Sequence, residues 1–346
     1  MFSEVSAANY GGDEAGLICG FLFSGDGIGR PLSSSAAAQW LETGPRGVVD
    51  ANGEPTFAWL HFNLAQVGAE RWLVRHASLS DDFFEMLHDG LYSTRIERAD
   101  QALTAVINDV HFDFELDASD ISTLWISVDR RLVVTGRRHP LRSVDNLRTE
   151  VNRGEAIRST ADLLERLMRT QADVLVSIVR SVTDHVDKIE DQLLAGRLVA
   201  KRARLGGLRR VLVRLQRLLA PEPAALFRLL QNPPAWMAVN DVQELRAATE
   251  EFSVVLRDMQ ALQERIKLLQ EEIAASVNED NNRSLFVLTI VTVLALPINI
   301  LAGLFGMNVG GIPLADDKNG FWILLALVMG FTVGAGWIAM RRHRKD

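Results

Sequence analysis

Polar side chains line one face of an uncharged segment near the C-terminus. The residues that share this face, taken in the alternating steps of three and four that stack on a helix, are Asn282, Leu285, Thr289, Thr292, Leu296, Asn299 and Gly303. Amide and hydroxyl oxygens hydrogen-bond to the waters of a hydrated cation without holding the ion too tightly to release it. The stripe therefore predicts the lining of a cation pathway, and polar contact between packed helices is the alternative.

Asn299 lies deep in this segment, where an amide that faced hydrocarbon would be costly. It should therefore face water or a partner helix rather than lipid. Leu285 and Leu296 interrupt the polar positions and could form constrictions that close by dewetting. The run Gly306-Met307-Asn308 ends the stripe, at what would be the outer mouth of the pathway.

Two uncharged runs are long enough to cross a bilayer. The first, Ser284 to Phe305, has 22 residues without a charge, which make about 33 Å of helix. The second runs from Phe321 to Met340. A buried core helix is the competing explanation, but two such runs, one almost at the C-terminus, favour membrane spans.

Charges beside these runs predict the orientation in the membrane. Four basic residues stand at positions 341–345, directly after the second run, whereas the connecting loop has Lys318 beside Asp316 and Asp317. Basic residues beside a span stay on the cytoplasmic side. We therefore expect the protein in the inner membrane with both termini in the cytoplasm. No signal-peptide pattern precedes the first domain. Asp316 and Asp317 would then attract cations from outside.

Two helices cannot enclose a water-filled path, so several copies of the chain must share an axis if it conducts ions. Gly330 and Gly334 in the second run have the small-xxx-small spacing that lets another helix approach closely. The chain itself and the lipid bilayer are therefore its expected partners.

The remainder of the sequence predicts an α/β domain followed by a helical region. Strands are expected at Gly16–Phe23, 57–63, 103–112 and the hairpin 124–136, and helices at 67–76 and 81–88, the latter capped by Ser80; residues 24–36 are expected to form a loop. From about Ser159 the pattern is helical, and the last helix, from about Asp241 to Phe305, would have 65 residues, about 97 Å if unbroken. The predicted division is a cytosolic α/β domain at 1–158, a helical region with the start of a stalk helix at 159–283, and a transmembrane domain at 284–346.

Composition excludes several classes of function. A net charge of −7 argues against nucleic acid as a partner. The single cysteine, Cys19, rules out a disulfide framework or a cysteine-based zinc site. No catalytic constellation is recognisable, so the chain is not expected to be an enzyme or to hold a tight cofactor.

Charge is unevenly distributed along the helical region. Residues 197–228 have nine basic side chains and one acid, whereas 241–280 have ten acids and four bases. Pairing of the two stretches, within a chain or between subunits, is the favoured interpretation, and contact with phospholipid head groups is the alternative. Elsewhere, His111, Asp113 and Glu115 alternate along a strand-like run and could form a regulatory metal site, although a solvated strand face is the simpler reading. His61 and His139 are expected to be structural.

The run from Leu296 to Asn308, which ends in Gly306, Met307 and Asn308 and precedes a second C-terminal span, resembles the CorA family of divalent-cation transporters. The following Val309-Gly310-Gly311-Ile312-Pro313 resembles the zinc-transporting branch, ZntB, as do the segments 59–63 and 133–140.

This resemblance implies a homopentamer in which the first spans surround a central pore and Gly306, Met307 and Asn308 form an outer selectivity ring. It implies transport of Zn²⁺ coupled to protons, with a Mg²⁺, Co²⁺ or Ni²⁺ channel as the alternative ion choice. A membrane-anchored sensor or scaffold is the alternative from another class. Because zinc prefers nitrogen and sulfur ligands, a pore of neutral oxygens would hold it weakly and hydrated.

Overall fold

The computed structural model describes residues 12–43, 56–89, 94–99, 102–117, 119–194, 202–307, 313 and 318–343. The chain forms two compact units, Met1–Leu269 and Gln270–Asp346. The first unit contains a sheet with its covering helices, and the second contains the apolar helical segments.

Seven strands form one mixed sheet in the order β2-β1-β3-β7-β6-β5-β4. Only β3 and β7 pair in parallel, and the other neighbours are antiparallel. The strands are β1 Leu17–Phe23, β2 Arg30–Pro31, β3 Phe57–Asn63, β4 Arg95–Ala99, β5 Ala102–Val110, β6 Ile121–Val128 and β7 Leu132–Arg137. The expected hairpin is present as β6 and β7, and the Asp129 carboxylate accepts the backbone N–H groups of Arg131 and Leu132 in its turn.

Strand β3 is an inner strand, next to the central β7, and is buried on both faces, which explains its nearly continuous apolar run. Leu60 and Phe62 point into an apolar cluster on one face. Helices α2 (Val67–His76) and α3 (Asp81–His88) cover that cluster with Leu73 and Phe83. Both helices have the predicted bounds. Ser80 stands at the N-cap of α3, but its side chain makes no capping hydrogen bond, so that part of the prediction is wrong.

Four elements were not predicted: β2, β4, helix α1 (Ser34–Glu42) and helix α4 (Arg142–Asn152). The segment 24–36, expected to be a loop, contains β2 and the start of α1, whose first turn is capped by the Ser33 hydroxyl accepting the Ala36 N–H at 3.3 Å. Strand β4 lies at the edge of the sheet. It pairs only with β5, and its charged sequence has no apolar alternation by which it could be recognised.

Helices make up the rest of the first unit. Their bounds are α4 Arg142–Asn152, α5 Thr160–Leu194, α6 Arg202–Leu219 and α7 Pro221–Gln231, and α8 begins at Val239. Pro221 occupies the first turn of α7, where a missing N–H does no harm. The predicted breaks near Pro221 and Pro233-Pro234 are confirmed, and the predicted break at Gly196 lies outside the described residues.

Helix α8 runs from Val239 to Phe305 without interruption and so contributes to both units. Its start and end confirm the predicted long helix. Within the described residues, α8 is the one helix long and apolar enough to cross a membrane, and no residue of its most apolar stretch is buried. Helix α9 (Gly320–His343) follows, with a shorter apolar part at Gly320–Ala335.

Candidate functional site

The polar stripe of α8 is uncovered along its whole length in the single chain. All seven of its positions, from Asn282 to Gly303, are exposed. Leu285 and Leu296, the two candidate constrictions, are 61% and 58% exposed. Such exposure is unsuited to a soluble core helix, so the stripe is available to water or to other copies of the chain.

The threonines of the stripe present acceptors rather than donors. The Thr289 hydroxyl donates to the Leu285 carbonyl at 2.8 Å, and the Thr292 hydroxyl donates to the Leu288 carbonyl at 2.9 Å. Because each hydroxyl proton is used inside the helix, the remaining lone pairs point outward. Oxygen acceptors of this kind can receive hydrogen bonds from the waters around a cation.

Pro297 lies inside α8, one residue after Leu296. Proline has no N–H, so the carbonyl of Val293 lacks its usual helical donor. A backbone oxygen is thereby released within the apolar stretch, close in sequence to Thr292. It adds a further neutral acceptor to this part of the helix.

The family-signature tripeptide directly follows the helix. The Gly306 N–H donates to the Ala302 carbonyl at 2.9 Å, and the Met307 N–H donates to the Leu304 carbonyl at 3.4 Å. A side chain at Gly306 would place its Cβ 3.0 Å from the Ala302 oxygen, so the close turn favours glycine. Asn308, the third member of the predicted selectivity ring, lies outside the described residues, as do Asp316 and Asp317.

Each apolar helix of the second unit also has a half-buried stripe. On α8 it includes Phe286, Ile290, Leu294 and Leu301, next to the polar stripe rather than on it. On α9 it includes Leu324, Val328, Thr332 and Ala335. The polar stripe is thus not the surface that is covered within one chain.

His61 is a structural residue, as predicted. It is buried on β3, its Nδ1 lies 2.8 Å from the Thr135 hydroxyl, and its Nε2 accepts the Arg137 Nε–H at 3.0 Å. The Trp59 indole N–H donates to the same Thr135 oxygen at 2.8 Å. Burial, followed by the Arg137 and Arg148 charges, holds the pKa of His61 well below its usual value, so it is neutral.

The strand alternation proposed for His111, Asp113 and Glu115 is wrong. Strand β5 ends at Val110, and residues 112 and 113 form a turn, so the three side chains do not share a strand face. His111 instead stacks on His139, with ring centroids 5.2 Å apart, and lies 4.0 Å from an Asp120 oxygen. His139 is exposed, so its expected structural role is also not supported. Among the described residues, no group of three His, Cys, Asp or Glu side chains could hold a metal.

Sequence reasoning missed a buried acidic pair in the first unit. Glu222, in the first turn of α7, is fully buried and accepts the Asn108 N–H at 2.9 Å and the Gln171 side-chain N–H at 3.1 Å. Asp109 accepts the N–H and hydroxyl of Ser143 at 3.0 and 2.8 Å. Burial raises the pKa of Asp109 to about 6 and raises that of Glu222 well above its usual value.

Among the described residues, the predicted pairing of basic and acidic stretches is not seen within one chain. Across the described parts of residues 197–228 and 241–280, no ion pair joins one stretch to the other. The contact observed between them is a hydrogen bond from the Gln263 amide to Gln216, at 2.7 Å. Pairing between subunits is not tested by this observation.

Residues 54–342 match the family model described as CorA-like Mg²⁺ transporter protein. A relative described as divalent cation transporter CmaX, from Pseudomonas aeruginosa, is 27% identical over 332 residues, covering 95% of this chain and 97% of that protein. A relative described as zinc transport protein ZntB, from Pectobacterium atrosepticum, is 22% identical over 315 residues, covering 89% and 96% respectively.

Solved structures give the same fold. The structure of full-length CmaX matches with a TM-score of 0.77 at 27% identity, covering 96% of this chain and 99% of that one. The CorA magnesium transporter of Methanocaldococcus jannaschii matches with a TM-score of 0.74 at 18% identity, covering 92% and 96%. The arrangement of a soluble α/β domain, a long helix and a C-terminal apolar helix is therefore the CorA-like fold.

Proposed function

This chain belongs to the family of CorA-like Mg²⁺ transporter proteins, and from that premise we propose that it carries divalent metal cations, Zn²⁺ first among them, across the inner membrane. The observation that carries the proposal is the exposed stripe of neutral oxygens on α8, within a helical stretch that is apolar and not buried. A scaffold or sensor needs no such stripe.

The path is assembled from several copies of the chain. One α8 helix cannot surround water, so the polar stripes of neighbouring copies face a common axis, as in the homopentamer implied by the family resemblance. Both termini lie in the cytoplasm, and the first spans, 284–305, enclose the pore while the second spans, 321–340, surround them. Leu285 and Leu296 form apolar rings that interrupt the water column when the pore is closed.

Ion choice follows from the chemistry of the stripe and from the relatives. Neutral oxygens that bind the hydration shell hold no divalent ion strongly, which permits release on the far side. The ZntB relative supports Zn²⁺. The second candidate is Mg²⁺, with Co²⁺ or Ni²⁺, which the description of the family supports. Coupling to a proton gradient is part of the proposal for Zn²⁺.

Flux into liposomes tests the proposal. The purified protein is reconstituted with a metal-sensitive dye inside, and Zn²⁺ or Mg²⁺ is added outside, with and without a pH gradient. We expect Zn²⁺ entry that increases with the proton gradient. Asn308→Ala should abolish the flux or change its ion selectivity. Correctly inserted oligomers that pass no divalent ion under any gradient would refute a transport function.

A matched pair of variants tests the stripe itself. Thr292 and Thr332 both donate their hydroxyls to the carbonyl four residues earlier, at 2.9 and 2.8 Å. Thr→Val preserves the shape and removes the oxygen. Thr292→Val should therefore lower the flux, whereas Thr332→Val, on α9, should not. Equal effects of the two substitutions would show that the stripe does not line the path.

A further inference from the structure

Helix α6 presents an arginine-rich face that has no ion-pair partner among the described residues of its own chain. Arg210, Arg214 and Arg217 are exposed, and they surround Val213, which is 45% exposed. None of these arginines forms an ion pair with any described residue. The opposite face of α6 is buried in the first unit through Leu208, Leu212 and Leu215 and the residues beside them.

The same face is open to the approach of another helix. Gly207 lies one turn before Arg210, and a Cβ added there would meet nothing within 4 Å. The face therefore combines a flat glycine position, one exposed valine and several cations. We name the set Gly207, Arg210, Val213, Arg214 and Arg217 the α6 face.

Helix α8 has a complementary face within the first unit. Its exposed apolar positions recur every seven residues, at Ala247, Val254, Ala261 and Leu268. Val254 is 47% exposed and Leu268 is 63% exposed. A heptad of exposed apolar residues is the pattern of a helix that packs on a partner helix.

Acids border this heptad. Glu244, Glu250, Glu251 and Asp258 are exposed and form no ion pair with another described residue. The set of Ala247, Val254, Ala261, Leu268 and these four acids is named the α8 face. Its apolar line, residues 247–268, is about 32 Å long, and the α6 face, residues 207–217, is about 15 Å long, so the α6 face covers about half of this line.

We propose that the α6 face of one copy docks on the α8 face of an adjacent copy, arginines against carboxylates and Val213 against the apolar heptad. The two faces have opposite charge, and each has an apolar centre. They are not joined within one chain, so the partner that fits each is a second copy. The inference rests on the proposed function only in taking the chain to be a homo-oligomer.

We expect this contact to determine the orientation and register of adjacent copies more than the strength with which they bind. Opposite charges across an interface orient the partners and exclude wrong registers, and like charges placed opposite each other are strongly unfavourable. The long arginine side chains can cover Val254 with their methylene groups while pairing with carboxylates at the rim.

Charge reversal tests the proposal in the full-length protein in detergent. The α6 variant is Arg210→Glu with Arg214→Glu, and the α8 variant is Glu251→Arg with Asp258→Arg. Each should lower the association constant of the oligomer at low salt by at least about tenfold, because attraction becomes repulsion. Analytical ultracentrifugation measures the oligomer fraction, and circular dichroism checks that each variant is folded.

Mixing the variants separates contacts between copies from contacts within one copy. When the α6 variant and the α8 variant are co-expressed, each reversed face meets its complement only on another copy, so oligomers should be recovered. A contact within one chain would leave the mixture as weak as either variant alone, while a chain with both reversals would recover. That pattern would overturn the proposal.

Control variants and a cross-link complete the test. Arg71→Glu with Arg75→Glu changes the charge equally on exposed positions of α2 and should leave assembly unchanged. Val213→Cys on one copy should form a disulfide with Val254→Cys on another, whereas Val74→Cys, which is 63% exposed, should not. Cys19, the single native cysteine, is replaced by Ala in each of these variants so that no other thiol competes.

One further outcome would also refute the proposed contact between copies. Normal assembly of the α6 variant, combined with loss of its binding to vesicles containing anionic phospholipid, would show that the α6 face meets a membrane surface and would refute the proposal. None of these measurements uses transport. A protein that assembles as expected and passes no ion would retain this interface and lose the proposed function.

Discussion

Glu222 links α7 to the backbone of β5, and its replacement should reveal how much stability a buried carboxyl supplies. Among the described residues, the pairing of β4 with β5 ends at Val106, two residues before Asn108. The Glu222 carboxyl accepts the Asn108 N–H at 2.9 Å, and the Gln171 amide donates to the Asn108 carbonyl at 2.6 Å. Helices α7 and α5 thus bind the backbone of β5 beyond the end of this described pairing.

The expected magnitude follows from these contacts. Glu222→Ala leaves the buried Asn108 N–H without an acceptor, which costs about 1–3 kcal/mol. The vacated volume adds about 1 kcal/mol or more, because the surrounding side chains collapse only partly. Glu222→Ala should therefore lower the free energy of unfolding by about 2–4 kcal/mol in acid. Glu222→Gln keeps one acceptor but places an amide N–H against the Gln171 N–H, so about 1–2 kcal/mol should be lost.

The pH dependence has a definite sign. Burial raises the pKa of Glu222 above its unfolded value, so its contribution is complete below about pH 4.3 and is lost as the pH rises through the folded pKa. The wild type should therefore lose stability relative to Glu222→Gln with rising pH, by at most about 1.4 kcal/mol per pH unit. The pKa of Asp109 is raised to about 6, so its contribution to stability also falls as the pH rises. This fall occurs in both proteins and largely cancels when their stabilities are compared.

Urea unfolding in a mild detergent, followed by tryptophan fluorescence from about pH 4.5 to 8, measures these differences. Glu85 is exposed on α3, so Glu85→Gln serves as the matched control and should leave the profile unchanged. Parallel profiles for the wild type and Glu222→Gln would show that the carboxyl is hydrated, and the reasoning about its burial would be wrong.

Three further substitutions examine the proposed pore and the centre of the sheet. Leu296→Ser should raise the resting leak of divalent ions into liposomes severalfold, because a hydroxyl keeps the constriction wet; unchanged or lower leak would exclude Leu296 as a gate. Thr135→Val should lower the free energy of unfolding by about 2–4 kcal/mol, since its hydroxyl contacts both the Trp59 indole and His61. Thr123→Val, at a buried hydroxyl without a partner among the described residues, should cost less than about 1 kcal/mol in the same urea experiment.

Many of the strands and helices could be predicted from the sequence, because in these elements the local residue pattern agrees with the tertiary environment. The continuous apolar run of β3 reflects burial on two faces. The apolar residues of α2 and α3 recur at helical spacing on the side that covers the core. Two of the elements that were not predicted are informative. Strand β4 is held by one neighbour at an exposed edge, and α1 begins in a serine-rich stretch whose helical signal was the capping position of Ser33.

The candidate functional residues also include some that the sequence predicts and some that it does not. The polar stripe could be recognised in the sequence because a membrane span follows a one-dimensional rule: charges are absent over a fixed length, and each polar exception on one helical face is conspicuous. The contacts of His111, His139 and Glu222 in the first unit could not be recognised. His111 and His139 are 28 positions apart and meet only because β5 and the end of β7 are brought together by the sheet. Glu222 resembles an ordinary exposed acid in a first helical turn.

The sequence by itself determined the apolar lengths, the polar stripe, the long helix and the family signature, since each depends on residues that are near one another along the chain. Only the tertiary structure decided which charged groups are buried, which histidines stack, and which arginines lack a partner. Those properties depend on solvent exclusion and on contacts between distant segments, and burial, rather than residue type, sets the pKa of groups such as Asp109.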